Sequence, residues 1–326
     1  MADYIVLIGT GGTIAGQGTS EIDLTGYRSG VLGLDEILQA VPQANAYGPF
    51  LFEQFANMES SDITNQDWLN LARLVQSYVD RDDVSGVVIT HGTDSMEETA
   101  YFLHLTLHTN KPVVMTGSMR PAGALSADGP LHLLQAIQLA RSTEAIGKGV
   151  LVTLNGYIDG AREVTKQNTT DVATFGNRTF GHLGIMQDGI AHFYQVSTRC
   201  HTMTSEFSIA DLPDILPTVA LLGCYADIQD SLVQAVLDTR PDGLVLAGLG
   251  HGTLPKQVIA LTANVSIPVV RASRTGSGMV TAVGTDVERD YLVSDSLSPQ
   301  KARILLMLGL TKGHDKAYLQ ELFYRY

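Results

Sequence analysis

The segment Tyr4-Ile-Val-Leu-Ile-Gly-Thr-Gly-Gly-Thr-Ile-Ala-Gly16 decides the fold class, because an apolar run passes directly into a glycine-rich loop. Such a run is typical of a strand buried on both faces. The loop fits neither nucleotide-binding pattern: Ile14 replaces the third glycine of the dinucleotide fingerprint, and the lysine of a P-loop is absent. What remains is a flexible loop with two hydroxyls, Thr10 and Thr13, which are either functional or only cap local backbone groups.

The alternation of apolar strands and amphipathic helices continues outward from this segment. Strands bounded by glycine and separated by helices favour a parallel sheet covered on both faces. We therefore predict an α/β fold, with a larger N-terminal parallel-sheet α/β domain and a smaller C-terminal α/β domain. Strands are predicted at 4–8, 86–90, 111–116, 149–154, 219–222, 243–247 and 268–272, and helices at 64–79, 97–107, 128–141, 231–237, 256–262, 299–310 and 317–324.

The domain boundary is predicted from a loss of this pattern. Polar sequence rich in serine and threonine precedes prolines at positions 213 and 217, and such composition is typical of a linker. We predict an N-terminal domain at 1–192, a linker at 193–216 and a C-terminal domain at 217–326.

Composition excludes several classes of function. The 326 residues carry 34 acidic and 21 basic side chains, a net charge of −13 that repels nucleic acid and anionic membranes. No apolar run approaches the roughly 18–20 residues that span a bilayer. No leader precedes the first strand, so we expect a cytoplasmic protein, or a periplasmic one if a leader was removed. Cys200 and Cys224 can form at most one disulfide.

Ligands of open α/β sheets bind at the carboxyl ends of strands, so the loops that follow strands are the places to search. The second such loop is Thr90-His-Gly-Thr-Asp-Ser-Met-Glu-Glu98, which places the hydroxyl of Thr93 beside the carboxylate of Asp94. Ser95 and Glu98 have the spacing of a capping box. Asp94 is therefore either part of a reactive pair or no more than a helix cap.

Lys166 is a further candidate, in the segment Val164-Thr-Lys166 near Arg162 and Asp171. A lysine is usually a solvated charge. In a cleft beside a carboxylate and a hydroxyl it can act as a base.

Other catalytic patterns are missing or incomplete. No G-x-S-x-G elbow is present. His104 and His108 have i, i+4 spacing, but Leu105 stands where a zinc protease has glutamate, so no metal site is predicted. We interpret His91 as a structural hydrogen-bonding residue rather than a ligand.

Taken together, the loop motifs resemble those of the bacterial L-asparaginases, and the similarity spans nearly the whole chain in the expected order. The matching segments are Gly9-Thr-Gly-Gly-Thr-Ile-Ala-Gly16, Ile89-Thr-His-Gly-Thr-Asp-Ser-Met-Glu-Glu-Thr-Ala100, Met119-Arg-Pro121, Ser126-Ala-Asp-Gly129, Thr165-Lys-Gln-Asn-Thr-Thr-Asp-Val-Ala-Thr-Phe175 and Pro299-Gln-Lys-Ala-Arg303.

The resemblance implies an amidohydrolase that converts L-asparagine to L-aspartate and ammonia. It implies Thr13 as nucleophile, Tyr27 in a mobile loop at 18–30, and Ser60 as the residue that holds the substrate α-carboxylate. It also implies a homotetramer built from intimate dimers, with no cofactor and no metal. The predicted catalytic residues are Thr13, Tyr27, Thr93, Asp94 and Lys166, and the predicted substrate-binding residues are Gly12, Glu59, Ser60, Ser61, Gly92, Ser118, Met119 and Glu288.

The chain departs from the secreted type around the substrate serine, where Glu59 precedes Ser60 and Ser61 follows it. Secreted members have a small residue before the serine and Gln or Glu after it, whereas the cytoplasmic type reads Asp-Ser-Ser-Asp. Asp94 is one candidate to bind the substrate ammonium. Glu59 is the nearest acid that can replace the missing Gln or Glu, unless it points to solvent or to a neighbouring subunit. Glu288 is predicted to reach a neighbouring subunit's site.

Three functions remain open. The first is L-asparagine hydrolysis with some activity on L-glutamine. The second is a balanced glutaminase-asparaginase or an enzyme that prefers D-asparagine. The third is a non-catalytic module that binds an amino acid, which ranks last because Thr13, Thr93, Asp94 and Lys166 are all present.

Overall fold

The computed structural model describes residues 3–326, apart from the side chain of Thr285. The chain divides into two units, one ending at Asp211 and the other spanning Leu212–Tyr326. Each unit has its own sheet, which confirms the predicted pair of α/β domains. The division lies within the predicted linker at 193–216, whose extent stays a prediction.

The first unit contains twelve strands and four α-helices among the described residues. The strands are β1 (Tyr4–Gly11), β2 (Gln17–Gly18), β3 (Tyr27–Arg28), β4 (Phe50–Met58), β5 (Val84–Thr90), β6 (Val113–Thr116), β7 (Val150–Leu154), β8 (Tyr157–Gly160), β9 (Thr165–Lys166), β10 (Phe175–Gly176), β11 (Gly184–Gln187) and β12 (Ile190–Phe193). The helices are α1 (Leu34–Gln39), α2 (Asn65–Val79), α3 (Met96–Thr106) and α4 (Gly129–Arg141).

Eight of these strands form one sheet in the order β12-β11-β8-β7-β6-β5-β1-β4. The five strands from β7 to β4 are parallel, and β8, β11 and β12 extend the sheet in antiparallel fashion. The chain adds β4 on one side of β1 and β5 on the other. The strand order therefore reverses at β1, and open α/β sheets bind ligands beyond the carboxyl ends of strands at such a point.

The central strands are buried because their side chains are apolar on both faces. Every residue of β1 after Tyr4 is buried, and so is the whole of β7. Helix α2 begins directly after Thr64, where the sequence predicts a helix to begin. The Thr64 hydroxyl accepts a hydrogen bond from the backbone N–H of Asp67 at 3.2 Å. This bond satisfies one of the free N–H groups of the first helical turn.

The second unit is a smaller parallel sheet with five helices among the described residues. A buried ion pair joins its third strand to a helix, because Arg271 donates two hydrogen bonds, at 2.7 and 2.6 Å, to the carboxylate of Asp286. The strands are β13 (Val219–Gly223), β14 (Gly243–Gly248), β15 (Val269–Ser273) and β16 (Leu292–Val293), and the helices are α5 (Asp230–Asp238), α6 (Lys256–Thr262), α7 (Gly284–Arg289), α8 (Pro299–Leu310) and α9 (Lys316–Arg325).

The structure also contains features that the sequence analysis did not predict. Strand β4 has nine residues, but Glu53 and Gln54 interrupt its apolar run. The predicted capping box at Ser95 and Glu98 is wrong. Ser95 precedes α3 without a side-chain capping bond, because its hydroxyl donates to the carbonyl oxygen of Ser60 at 2.5 Å.

Two further predictions concern bilayers and disulfides. Within residues 3–326 no helix has the length and hydrophobicity needed to cross a membrane. Cys200 and Cys224 are both free thiols, so the one disulfide that the sequence allows is not formed.

His91 follows β5 and is fully buried. Its Nδ1 lies 2.7 Å from the carbonyl oxygen of Gly92; since a carbonyl can only accept, Nδ1 carries the hydrogen. This confirms the structural role expected for His91. Burial lowers the pKa of His91 to about 4, although the bond to the carbonyl acts in the opposite direction.

The buried imidazole predicts a loss of stability in acid. The folded pKa is about 4, whereas a histidine in the unfolded chain titrates near 6.5. The unfolded state therefore binds the extra proton, and the free energy of unfolding falls as the pH drops through this window. We expect His91 to contribute a loss of about 2 kcal/mol between pH 7 and pH 4.5.

Urea unfolding at these two pH values measures this effect. The matched variant is His91→Asn, whose neutral amide can donate to the same carbonyl but does not titrate. We expect a smaller pH dependence in the variant than in the wild type. An equal pH dependence in both proteins contradicts the prediction.

Candidate active site

Four loops that follow adjacent parallel strands supply most of the predicted site residues. Thr13 follows β1, Ser60 follows β4, Thr93 follows β5 and Ser118 follows β6. Because parallel strands end at the same edge of a sheet, one edge carries all four loops.

The loops after β1, β4 and β5 touch through glycine. A Cβ atom at Gly12 would lie 2.4 Å from the Cα of Gly92, and a Cβ atom at Gly92 would lie 2.7 Å from the hydroxyl oxygen of Ser60. Gly12 also has φ 80°, which side chains disfavour. These contacts bring Gly12, Gly92 and Ser60 together and place Thr13 and Thr93 next to the contact.

Thr13 begins a short 3₁₀ turn, Thr13–Ala15, and is only 6% exposed. Its hydroxyl oxygen lies 2.5 Å from the phenol oxygen of Tyr27. Tyr27 stands on the small antiparallel hairpin of β2 and β3. Its ring packs on Gly16, where a Cβ atom would lie 2.7 Å from the ring carbon Cδ2. A glycine at position 16 therefore gives the phenol access to Thr13.

Lys166 contacts two of the other predicted catalytic residues, Thr93 and Asp94. Its Nζ donates to the Thr93 hydroxyl oxygen at 2.9 Å and to the Asp94 carboxylate at 2.6 Å. Asp94 lies before the N-terminal cap of α3, so it does not act as the cap. Because Thr93 accepts from the ammonium, its own hydroxyl proton is available to a substrate or a water. Arg162 and Asp171 contact other groups: Arg162 lies 3.7 Å from Glu163, and Asp171 accepts from the N–H of Ala173.

Ser60 is buried in the 3₁₀ turn Ser60–Asp62, whereas Glu59 and Ser61 are exposed. Ser95 holds the position of Ser60, because the Ser95 hydroxyl donates to the Ser60 carbonyl oxygen at 2.5 Å. The Glu59 carboxylate makes no hydrogen bond or ion pair with the described part of the chain, so it is open to a ligand.

The loop after β6 uses its polar groups internally. The Ser118 hydroxyl donates to the carbonyl oxygen of Arg120 at 2.8 Å, and the N–H of Met119 donates to the Asp128 carboxylate at 2.8 Å. Ser118 and Met119 therefore have fixed positions.

Glu288 belongs to the second unit, on α7. Its carboxylate is 73% exposed and lies 4.0 Å from the guanidinium of Arg289. For the part of the chain that the structure describes, no three His, Cys, Asp or Glu side chains are grouped as a metal site.

Glu97 contacts the Lys166 segment but is not among the residues predicted from the sequence. This residue lies in the first turn of α3, is 7% exposed, and accepts hydrogen bonds from the backbone N–H of Lys166 at 2.6 Å and from the Thr165 hydroxyl at 2.5 Å. All other α3 residues except Glu98 are buried. The sequence did contain a signal for this role: Glu97 stands in a helix that is apolar on nearly every side. A carboxylate that is buried in such a helix needs hydrogen-bonding partners.

These groups can perform acyl transfer. A hydroxyl becomes a nucleophile when a neighbour accepts its proton, and Tyr27 is in contact with Thr13. A second chain of groups, Thr93 and Lys166 with Asp94, can exchange a proton with a water.

Comparison with known proteins agrees with the two units and the loop motifs. The family model described as "Asparaginase, N-terminal" matches residues 4–199, and the "Glutaminase/Asparaginase C-terminal domain" model matches residues 218–323. L-asparaginase 2 of Bacillus subtilis is 43% identical over 99% of this chain and 86% of its own length. Glutaminase-asparaginase of Pseudomonas fluorescens is 37% identical over 99% of this chain and 90% of its own length.

A solved structure extends the agreement to the fold. The crystal structure of a probable cytoplasmic L-asparaginase from Campylobacter jejuni superposes with a TM-score of 0.96 at 40% identity, and covers 99% of this chain and 100% of that one. With two family models in the same order and relatives of this similarity along the whole chain, the protein belongs to the asparaginase family.

Proposed function

We propose that the protein hydrolyses the side-chain amide of L-asparagine to L-aspartate and ammonia through an acyl-enzyme on Thr13. The observation that carries the proposal is the contact between two loops, one holding Thr13 against Tyr27 and the other holding Thr93 against Lys166. Relatives named L-asparaginase support the choice of substrate.

In the first step the Thr13 hydroxyl oxygen attacks the amide carbon of the substrate. Tyr27 accepts the hydroxyl proton as its own phenol proton passes to the amide nitrogen; the C–N bond then breaks and ammonia leaves. Backbone N–H groups of the glycine loops stabilise the negative oxygen of the tetrahedral intermediate. The product of this step is an aspartyl ester of Thr13.

In the second step a water attacks the ester carbon. Its proton passes to Thr93, the proton of the Thr93 hydroxyl passes to Lys166, and the Lys166 ammonium gives one of its own protons to the Asp94 carboxylate. The C–O bond to Thr13 breaks, the threonine oxygen regains a proton, and L-aspartate leaves. Acylation must come before water attacks, so the site needs a mobile loop that excludes water before acylation and admits it afterwards. The segment at 18–30, which carries Tyr27, is the proposed mobile loop.

Substrate recognition uses the edge formed by the glycine contact. Ser60, with Gly12 and Gly92 beside it, binds the α-carboxylate, and Ser61, Ser118 and Met119 line the same edge. The α-ammonium is a full charge that needs a carboxylate when water is removed. Asp94 and Glu59 are the exposed carboxylates proposed for it.

The proposed assembly is a homotetramer made from intimate dimers, in which Glu288 reaches the site of a neighbouring subunit; sedimentation velocity distinguishes it from smaller species. We place the enzyme in the cytoplasm, since the Campylobacter jejuni relative is described as a probable cytoplasmic enzyme. Fractionation of the source cells tests this placement.

The first prediction concerns the nucleophile. Thr13→Ala should abolish nearly all turnover while it still binds L-aspartate, because only an interaction made during the reaction is lost. Ammonia release from L-asparagine, L-glutamine and D-asparagine by the wild type and the variant measures this. We expect the wild type to prefer L-asparagine. Near-normal kcat in the variant contradicts the nucleophile, and no release from any substrate by the wild type contradicts the enzyme.

The second prediction concerns the relay. Lys166→Met and Asp94→Ala should each lose most of kcat, and the double variant should be hardly worse than either single variant, because residues that act as a unit are non-additive. Steady-state kinetics of the three proteins measures this. Losses that multiply in the double variant mean that the two residues act independently, which contradicts the relay.

The third prediction concerns Glu59. Glu59→Gln should raise KM for L-asparagine and leave kcat comparatively unchanged, because a contact present in both ground and transition states contributes uniform binding. Glu144→Gln, at an exposed glutamate on the turn Thr143–Ala145, is the control for a change in net charge. An unchanged KM in Glu59→Gln shows that this carboxylate does not bind the ammonium.

A further inference from the structure

We propose that Glu97 is a positioning residue for Lys166. Its carboxylate oxygen Oε2 accepts from the backbone N–H of Lys166 at 2.6 Å and from the hydroxyl of Thr165 at 2.5 Å. Glu97 is separated from Lys166 by 69 positions in the chain. The inference rests on the proposed function, in which Lys166 takes part in the proton relay.

The location of Glu97 requires these partners. The residue is 7% exposed, and a buried carboxylate is costly unless hydrogen bonds replace its water. It lies in the first turn of α3, where the helix dipole favours negative charge. The two bonds from the segment Thr165–Lys166 are charge-assisted, which makes them stronger than bonds between neutral groups.

The segment that carries Lys166 depends on such a tether. Strand β9 pairs with β10 through only two residue pairs, Lys166 with Phe175 and Thr165 with Gly176. An isolated two-stranded hairpin is at best marginally stable in water. Glu97 ties this short hairpin to α3, which is buried against the main sheet.

One stretch of chain therefore fixes Lys166 at both ends. Thr93 and Asp94 hold the side-chain nitrogen, and Glu97, three residues after Asp94, holds the backbone nitrogen. A free lysine side chain loses rotamer entropy when it is ordered. Anchoring both ends before substrate arrives sets the distance from the amine to Thr93, which a proton relay needs.

This role predicts an effect on turnover rather than on binding. Ser60, which binds the α-carboxylate in the proposed function, is held by a hydrogen bond from Ser95 that does not involve Glu97. Glu97→Leu should therefore lower kcat about 100-fold, the typical cost of a misplaced catalytic group, and leave KM nearly unchanged. Glu97→Gln keeps a carbonyl oxygen that can accept both bonds, so it should recover at least roughly tenfold of that loss.

Two further variants separate positioning from stability. Thr99→Val is the matched control on the same helix, because it removes the buried bond from Trp68 Nε1 at 2.9 Å and leaves the hairpin untouched; its kcat should equal that of the wild type. Thr165→Val removes one of the two bonds to Glu97, keeps the Glu97 carboxylate and nearly keeps the volume of the side chain at 165. It should lower kcat roughly tenfold, which tests the inference even if Glu97→Leu does not fold.

The deciding experiment measures kcat and KM for these variants in the full chain, with and without Lys166→Met. With methionine at 166, Glu97→Leu should change kcat less than about twofold, because nothing remains to be positioned. A large further loss overturns the inference, and so do normal kcat values in both Glu97→Leu and Thr165→Val. If Lys166→Met alone keeps normal kcat, the proposed relay fails first, which is a distinguishable result.

Discussion

The contact between Gly12 and Gly92 is the constraint on which the rest of the site depends. Adjacent parallel strands β1 and β5 end at the same edge, and a Cβ atom at Gly12 would lie 2.4 Å from the Gly92 Cα. No side chain fits between the two loops at this point. Thr13 and Thr93 are the residues that come next in the chain after the two glycines, so the backbone contact fixes the positions of both. Each hydroxyl then has its own partner, Tyr27 for one and Lys166 for the other. This division suits a reaction that first needs a nucleophile and then needs a base for water.

The stretch from Thr93 to Glu97 connects this contact to the other parts of the site. Ser95 holds the loop of Ser60, whereas Thr93, Asp94 and Glu97 hold Lys166. A site on rigid elements keeps its geometry better than one on free loops, and α3 is such an element because it is buried along nearly its whole length. The start of α3 therefore fixes the positions of two separate segments, the loop of Ser60 and the hairpin of Lys166.

The sequence predicted the strands and helices that a local pattern of apolar and polar residues indicates. The buried strands are continuous apolar runs, and α2 begins beside Thr64, where the helix was predicted to begin. Strand β4 was not predicted, because Glu53 and Gln54 interrupt its apolar run at the edge of the sheet. Ser95 fitted a local capping box, yet its hydroxyl bonds to Ser60, 35 positions away. Glu97 read as an ordinary acidic residue of a first helical turn, because its partners lie on a distant hairpin that only the folded chain brings to it.

The most direct measurement is a crystal structure of the enzyme with L-aspartate, the product. We infer that the substrate binds at the edge formed by the loops of Thr13 and Thr93. The side-chain carboxylate of the ligand should then lie within hydrogen-bond distance of the Thr13 and Thr93 hydroxyls, with the α-carboxylate on Ser60. Aspartate bound away from this edge, or bound in the reverse orientation with its α-carboxylate on Thr13, contradicts the account.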